Sequence, residues 1–249
     1  MRRASTALAG VAGIAVFGLL AELWVRASDS GSFPPPSSVL RRTIELVAEA
    51  DFLRQAGSTL VTWAVGLLLA LLIGGGLGLI MGYFPAVRHA IQGPLEFIRP
   101  MPAIAIAPLL LVFYGRGIPM RSLTVAFAAM WPILYNAMSG MRSLDPVATE
   151  TGRAFGLNKS QVVRRVSLPS VAPFIFTGLR VASGIALIVA VGVEFLFPDG
   201  TGLGGFVLRE SAGAGDLPTV YGTLVVAGLL GMATDFGLAL SERRLFPWM

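Results

Sequence analysis

The sequence predicts an all-α polytopic membrane protein with six transmembrane helices, and three observations predict it. Hydrophobic residues make up 55% of the 249-residue chain and charged residues 13%, where a soluble domain carries about 25% charged residues. Mean hydropathy is +0.75. The apolar residues are also grouped into runs that suit a hydrocarbon layer about 30 Å thick, which needs roughly 20 helical residues to cross. The same composition removes other classes. Cys is absent and His occurs once, at His89, so thiol chemistry, disulfide scaffolds and Cys/His metal sites lack raw material. A net charge of +5 fits basic ends of membrane spans better than a nucleic-acid surface.

The first apolar run, at about 7–26, follows Arg2 and Arg3. It is longer than a signal-peptide core and has no small-residue cleavage site after it, so it predicts a retained first span. The stretch at about 27–56 predicts a partly folded amphipathic segment, and the second span follows at about 57–83. The third, at about 95–114, is interrupted by Pro100, Pro102 and Pro108. Prolines remove backbone donors and kink helices, which lipid tolerates only where neighbouring helices shield the freed carbonyls. A broken span of this kind marks a candidate pathway. Spans four to six fall at about 118–139, 172–197 and 219–240. An even number of spans places both termini on one side, and the Lys/Arg excess there makes that side cytoplasmic. Gly74, Gly78 and Gly82 in the second span, and Gly178, Ala182, Ala186 and Ala190 in the fifth, form small-residue stripes that suit either intrachain packing or an oligomer interface.

The most informative stretch is the cytoplasmic segment 143–169 between spans four and five. Asp145 before Pro146 is an N-cap followed by proline at the first helical position, and Gly156 offers a left-handed stop. Asn158 with Gln161 starts a second short helix, which Leu168-Pro169 is expected to end. Helices of roughly ten residues are not stable alone in water, so they must be held against something. A helix-turn-helix for DNA fits the local pattern but is pinned to the membrane by the flanking spans. A solvated connector is the plain alternative, and a docking element for a soluble partner is the preferred reading.

Here the residues resemble a family. Glu150-Thr151-Gly152, three residues, Gly156, nine residues, then Val166-Ser167-Leu168-Pro169 is similar to the EAA loop of the membrane subunits of binding-protein-dependent ABC importers, whose pattern is E-A-A-x3-G-x9-I-x-L-P. Thr151, Gly152 and Val166 depart from it, all by small or conservative changes. Arg99-Pro100-Met101-Pro102 with Pro108-Leu109, Phe113-Tyr114-Gly115, and Thr177-Gly178-Leu179-Arg180 with Glu194 resemble the branch that imports nitrate, taurine and alkanesulfonates, which pyrimidine precursors of thiamine share. The resemblance runs from about residue 37 to the end.

It implies a single transmembrane domain over 1–249 with the type I ABC importer, MetI-like, permease fold. It further implies a homodimer with the pathway along its two-fold axis, in a bacterial cell membrane. Two ATPase subunits, carrying ATP and Mg, are expected below and a substrate-binding protein above, with no cofactor in this chain. Glu150, Arg153, Gly156, Leu168 and Pro169 are then the coupling residues: Glu150 and Arg153 pair at the ATPase groove and Gly156 supplies the turn. Phosphate cradling needs G-x-x-x-x-G-K-[ST], and the sole lysine, Lys159, follows Asn158, so ATP hydrolysis belongs to another chain. Gly200-x-Gly202-x-x-Gly205 formally matches a dinucleotide loop but follows a span rather than a strand, and it predicts a flexible extracytoplasmic loop facing the binding protein or gating the pore.

Charges in or near spans are costly in hydrocarbon and face protein or water. Glu22 and Arg26 suit a pair near the outer end of span one. Arg99 fits an anion-attracting role or a structural one equally. Arg180 and Glu194 in span five suit structural pairing, and Asp235 in span six suits pairing with Arg243 or Arg244. Arg99, Met101, Pro102, Pro108, Asn136 and Glu194 are the candidates for the translocation pathway, expected to carry a small anionic solute. The rival class is an ion-coupled secondary transporter or channel working without an ATPase. An intramembrane enzyme lacks a catalytic set, because His89 has no partner at metal or triad spacing.

Overall fold

The computed structural model describes residues 2–28, 33–213 and 216–247, and among them every regular element is a helix. In chain order these are α1 (Arg2–Ser28), α2 (Pro36–Ala48), α3 (Ala50–Ala70), α4 (Gly76–Tyr83), α5 (Pro85–Ile98), α6 (Ala103–Tyr114), α7 (Ile118–Arg142), α8 (Pro146–Ala154), α9 (Lys159–Val162), α10 (Leu168–Leu196), α11 (Gly202–Ala212) and α12 (Leu217–Leu245). Two π-helical turns, Leu71–Gly75 and Val163–Ser167, join α3 to α4 and α9 to α10. The side chains of Arg2 and Arg3, counted above toward the cytoplasmic side, lie outside the described residues.

Three helical stretches, Ala50–Tyr83, Lys159–Leu196 and Leu217–Leu245, are long and apolar enough to cross a membrane. The segment predicted as one broken span at 95–114 is divided between α5 and α6, which are bent by 94° at the break. Proline explains the corner. Pro100 and Pro102 cannot donate to a helix and push the residues before them out of helical geometry. The α6 arm, with 12 residues, is about 18 Å long, too short to cross the hydrocarbon on its own. The amphipathic stretch expected at 27–56 supplies α2 and the first turns of α3.

The centre of the fold is α7, whose 25 residues reach about 37 Å. It is apolar around most of its circumference, as a helix must be when neighbours enclose it. The core around it is built from small residues: Ala70, Ala129, Ala182, Ala186 and Ala190 are fully buried, with Leu67, Val125 and Ile133 between them. Lipid tails are as apolar as leucine, so helices in a bilayer associate by close packing rather than by hydrophobic drive. The glycine stripe of span two lies against α7: a Cβ on Gly78 would strike the Leu134 carbonyl and come within 2.8 Å of Ala137 Cβ. The stripe of span five packs against the same helix, Gly178 sitting over Pro132, Ile133 and Asn136. Both stripes therefore serve packing within the chain. Trp63 adds a polar tie, its indole N–H donating to the Ser183 carbonyl at 3.0 Å.

A second core joins α2, α3, α11 and α12 through Leu46, Phe52, Ala56, Leu203, Phe206 and Val226, with the Phe52 and Phe206 rings edge to face at 5.3 Å. Outside it, α1 is tethered through Glu22. This carboxylate pairs with Arg26 at 2.6 Å and accepts from the Ser37 N–H and hydroxyl at 2.9 and 2.7 Å. It thereby satisfies an orphan donor in the first turn of α2, where a negative charge is favoured.

Candidate functional site

The segment between α7 and α10 folds as its caps dictate. The Asp145 side chain accepts from the Val147 N–H at 2.8 Å and Pro146 opens α8. Gly156, at φ +80, is in the left-handed region that costs a side chain most. Asn158 and Gln161 form a reciprocal capping box, each accepting from the other's backbone N–H at 2.9 Å. The second helix, however, does not stop at Leu168-Pro169. Lys159 to Leu196 is one continuous helical stretch, and the π turn at Val163–Ser167 lies directly before the proline. A proline ring crowds the carbonyl four residues back; the wider i→i+5 turn relieves that crowding and lets the helix run on. The element is therefore a short capped helix hinged by Gly156 onto a rod that continues into the membrane.

Its outer surface is unusually apolar for a polar loop. Phe155 is 84% exposed and Val147 65%, and Glu150, Arg153 and Gly156 are exposed beside them. Gly152, standing where the family pattern has alanine, is buried against Leu157, Val162 and Val166, which holds α8 onto the rod. Phe155 is absent from the coupling residues read in the sequence. An aromatic residue immediately before a turn glycine was the available signal.

The pathway candidates divide into two groups. Arg99 and Asn136 line one cavity of about 560 Å³, with Ala128, Trp131, Pro132, Tyr135, Val181 and Ile185. The Arg99 guanidinium lies over the Tyr135 ring, 4.8 Å from its centre, a contact that favours a cation electrostatically. The Asn136 amide N–H donates to the Pro132 carbonyl at 2.8 Å. Among the described residues, no carboxylate pairs with Arg99. Met101 and Pro102 sit at the corner between α5 and α6, and Pro108 lies within α6; all three are exposed and none lines this cavity.

Glu194 does not belong to that group. It is fully buried at the far end of α10, where it meets the first turn of α7. Arg121, 1% exposed, approaches it at 3.5 Å and Asp199 at 3.1 Å. The Thr59 hydroxyl donates to Glu194 at 2.8 Å and the Gly204 N–H at 3.3 Å. The N–H groups of Gly202 and Leu203 donate to Gln55 and Thr59, each at 2.9 Å. The glycine string predicted as a flexible loop is thus the anchored start of α11, with residues 202–207 all buried. Gly202 has φ +86, and a Cβ there would collide with the Glu194 carboxylate. Free backbone donors of a helix N-terminus attract an anion, which is what Glu194 supplies. Asp235 likewise differs from expectation: it pairs with Arg180 at 3.2 Å rather than with Arg243 or Arg244, and Arg180 also holds Glu242 at 3.0 Å. Among the described residues, no group of three or more His, Cys, Asp or Glu side chains is placed to hold a metal.

The taurine transport system permease protein TauC of Escherichia coli is 30% identical over 220 residues, covering 86% of this chain and 79% of its own. The nitrate import permease protein NrtB of Synechocystis is 26% identical over 244 residues, covering 94% and 88%. Among solved structures, the inward-facing methionine ABC transporter MetNI superposes with a TM-score of 0.66 at 18% identity, over 78% of this chain and 95% of the matched chain, so the MetI-like permease fold is shared. Residues 66–247 match the family described as binding-protein-dependent transport system inner membrane component, and the chain belongs to that family.

Proposed function

We propose that this chain forms the translocation pathway of an ATP-driven importer for a small oxyanion, such as a sulfonate, taurine or nitrate, and takes its energy from a separate ATPase through α8. The observation that carries the proposal is the exposed Val147 on α8 and Phe155 at its C-terminal end, on a capped helix joined through Gly156 to the stretch from Lys159 that runs on, through the π turn, as α10. An apolar aromatic anchor on a rigid element is the usual centre of a protein interface, and a helix laid into a groove is a common docking mode. Glu150 and Arg153 complete the contact as rim charges, Gly156 sets the angle of α8, and Leu168 and Pro169 transmit its displacement into α10. The working unit is a homodimer with both termini in the cytoplasm of a bacterial cell, six spans in each copy, and the pathway along the two-fold axis. A substrate-binding protein delivers the solute on the opposite side.

The solute class follows from Arg99. A cation without a carboxylate partner among the described residues, beside Trp131, Tyr135 and Asn136, lowers the energy of an anion that passes it, and the named relatives handle taurine and nitrate. Uptake into liposomes tests the reading. With its ATPase, its binding protein and ATP, the chain should accumulate the solute; without the ATPase it should not. Accumulation by this chain alone, driven by an ion gradient, would overturn the proposal.

A further inference from the structure

Two cavities meet at the end of the molecule that carries α8. The first, of about 190 Å³, is lined by Gly82, Tyr83, Thr149, Arg153, Lys159 and Ser167 together with apolar side chains. It holds two cations and no carboxylate, and among the described residues neither Arg153 nor Lys159 forms an ion pair. The second, of about 400 Å³, is an apolar trough along Leu79, Ile80, Phe84 and Leu168, and all but Leu79 are prominently exposed. The two share Tyr83, Met141, Lys159 and Val163 in their walls. They form one continuous site with a cationic head and an apolar tail.

Its position fits its chemistry. It lies where the membrane-length stretch Ala50–Tyr83 ends and where α10 begins, at the level where hydrocarbon gives way to headgroups. Tyr83 stands edge to face with Phe84 at 4.7 Å, and tyrosine, with an apolar ring and a polar tip, favours that boundary. Basic residues at a membrane surface attract anionic lipid, and Arg142, Arg164 and Arg165 are exposed in the same segment.

We propose that this joined cavity binds one anionic glycerophospholipid of the surrounding leaflet, its phosphate between Arg153 and Lys159 and one acyl chain in the Ile80–Phe84–Leu168 trough. Arg153 belongs to α8 and Lys159 to α9, whereas the trough belongs to α4 and α10. The lipid therefore bridges the coupling element and the spans, and it makes the set of α8 depend on leaflet charge. The site shares Arg153 with the proposed ATPase contact but is tested on the chain alone, with no ATPase present, so its failure and the failure of ATPase docking are distinguishable.

Native mass spectrometry of the purified, delipidated full chain tests it, with phosphatidylglycerol, phosphatidylcholine and inorganic phosphate as probes. One phosphatidylglycerol should bind per chain, at least tenfold more tightly than phosphatidylcholine, and millimolar inorganic phosphate should not displace it. Lys159→Gln should weaken phosphatidylglycerol binding several-fold. Ile80→Trp, which fills the trough without altering charge, should do the same. Equal binding of the two lipids, or unchanged binding in both variants, would overturn the proposal. Displacement by inorganic phosphate with no effect of Ile80→Trp would overturn it in favour of a free-anion pocket.

Discussion

Glu194 carries the largest single-residue consequence. Its carboxylate is buried against Arg121 and caps the start of α11, so removing it leaves the buried guanidinium with Asp199 as its one remaining carboxylate among the described residues and takes the anion from the α11 N-terminus. Breaking a buried pair from one side costs about 3–5 kcal/mol, whereas replacing both members by apolar residues is far milder. Glu194→Ala should therefore lower the thermal unfolding midpoint in detergent sharply, and Arg121→Met combined with Glu194→Leu and Asp199→Asn, which removes all three charges of the cluster, should recover much of the loss. Equal midpoints for the single variant and the parent would contradict the pairing. Arg99 makes the opposite prediction, because it is exposed and, in the proposed function, serves transport rather than stability. Arg99→Gln should leave the unfolding midpoint unchanged and reduce anion uptake at least tenfold, with Arg99→Lys intermediate; uptake unchanged in Arg99→Gln would remove it from the pathway. The two residues were not equally legible. Arg99 could be read beside its proline cluster, but the partner of Glu194 is 73 residues away in sequence, and no local pattern joins them.

At the scale of elements, what was legible was what is local. Asp145, Gly156, Asn158 and Gln161 occupy the caps and turn that their side chains and backbone preferences dictate, and the structure places each where those preferences put it. The rule that failed was proline as a stop. Pro169 stands in a continuous helix because a π turn precedes it, and periodicity carries no mark of that extra residue in the turn. The glycine string at 200–205 failed for a related reason: glycine signals either freedom or close approach, and only the packing of α11 against Glu194 decides between them. The caps yield a prediction. Asp145→Ala should cost α8 about 1 kcal/mol, a large loss for a nine-residue helix. Limited proteolysis should then cleave 146–158 faster, while the protection of α7 and α10 is unchanged. Faster cleavage throughout would mean that α8 supports the whole fold rather than standing out from it.

For the whole molecule, the fold class followed from composition, and the family from the spacing of a few polar residues in one loop. The chain's interior explains how such a sparse signal suffices. Apolar spans pack by small residues onto α7, so nearly all the chemistry is confined to three places: the α8 element, the Arg99 cavity and the Arg121–Glu194 knot. The first lies at one end of α7 and α10 and the knot at the other. In the proposed function, motion of α8 is delivered to a rod whose far end is fixed by buried ion pairing, with the Arg99 cavity between them. The central claim is that α8 transmits work from a separate ATPase, and Gly156→Asp tests it most directly, because φ +80 strains any side chain there while leaving the spans untouched. Affinity-purified permease carrying Gly156→Asp should be inserted and assembled like the parent but should retain little ATPase and stimulate none of its hydrolysis. Copurification of a fully stimulated ATPase with that variant would contradict the account.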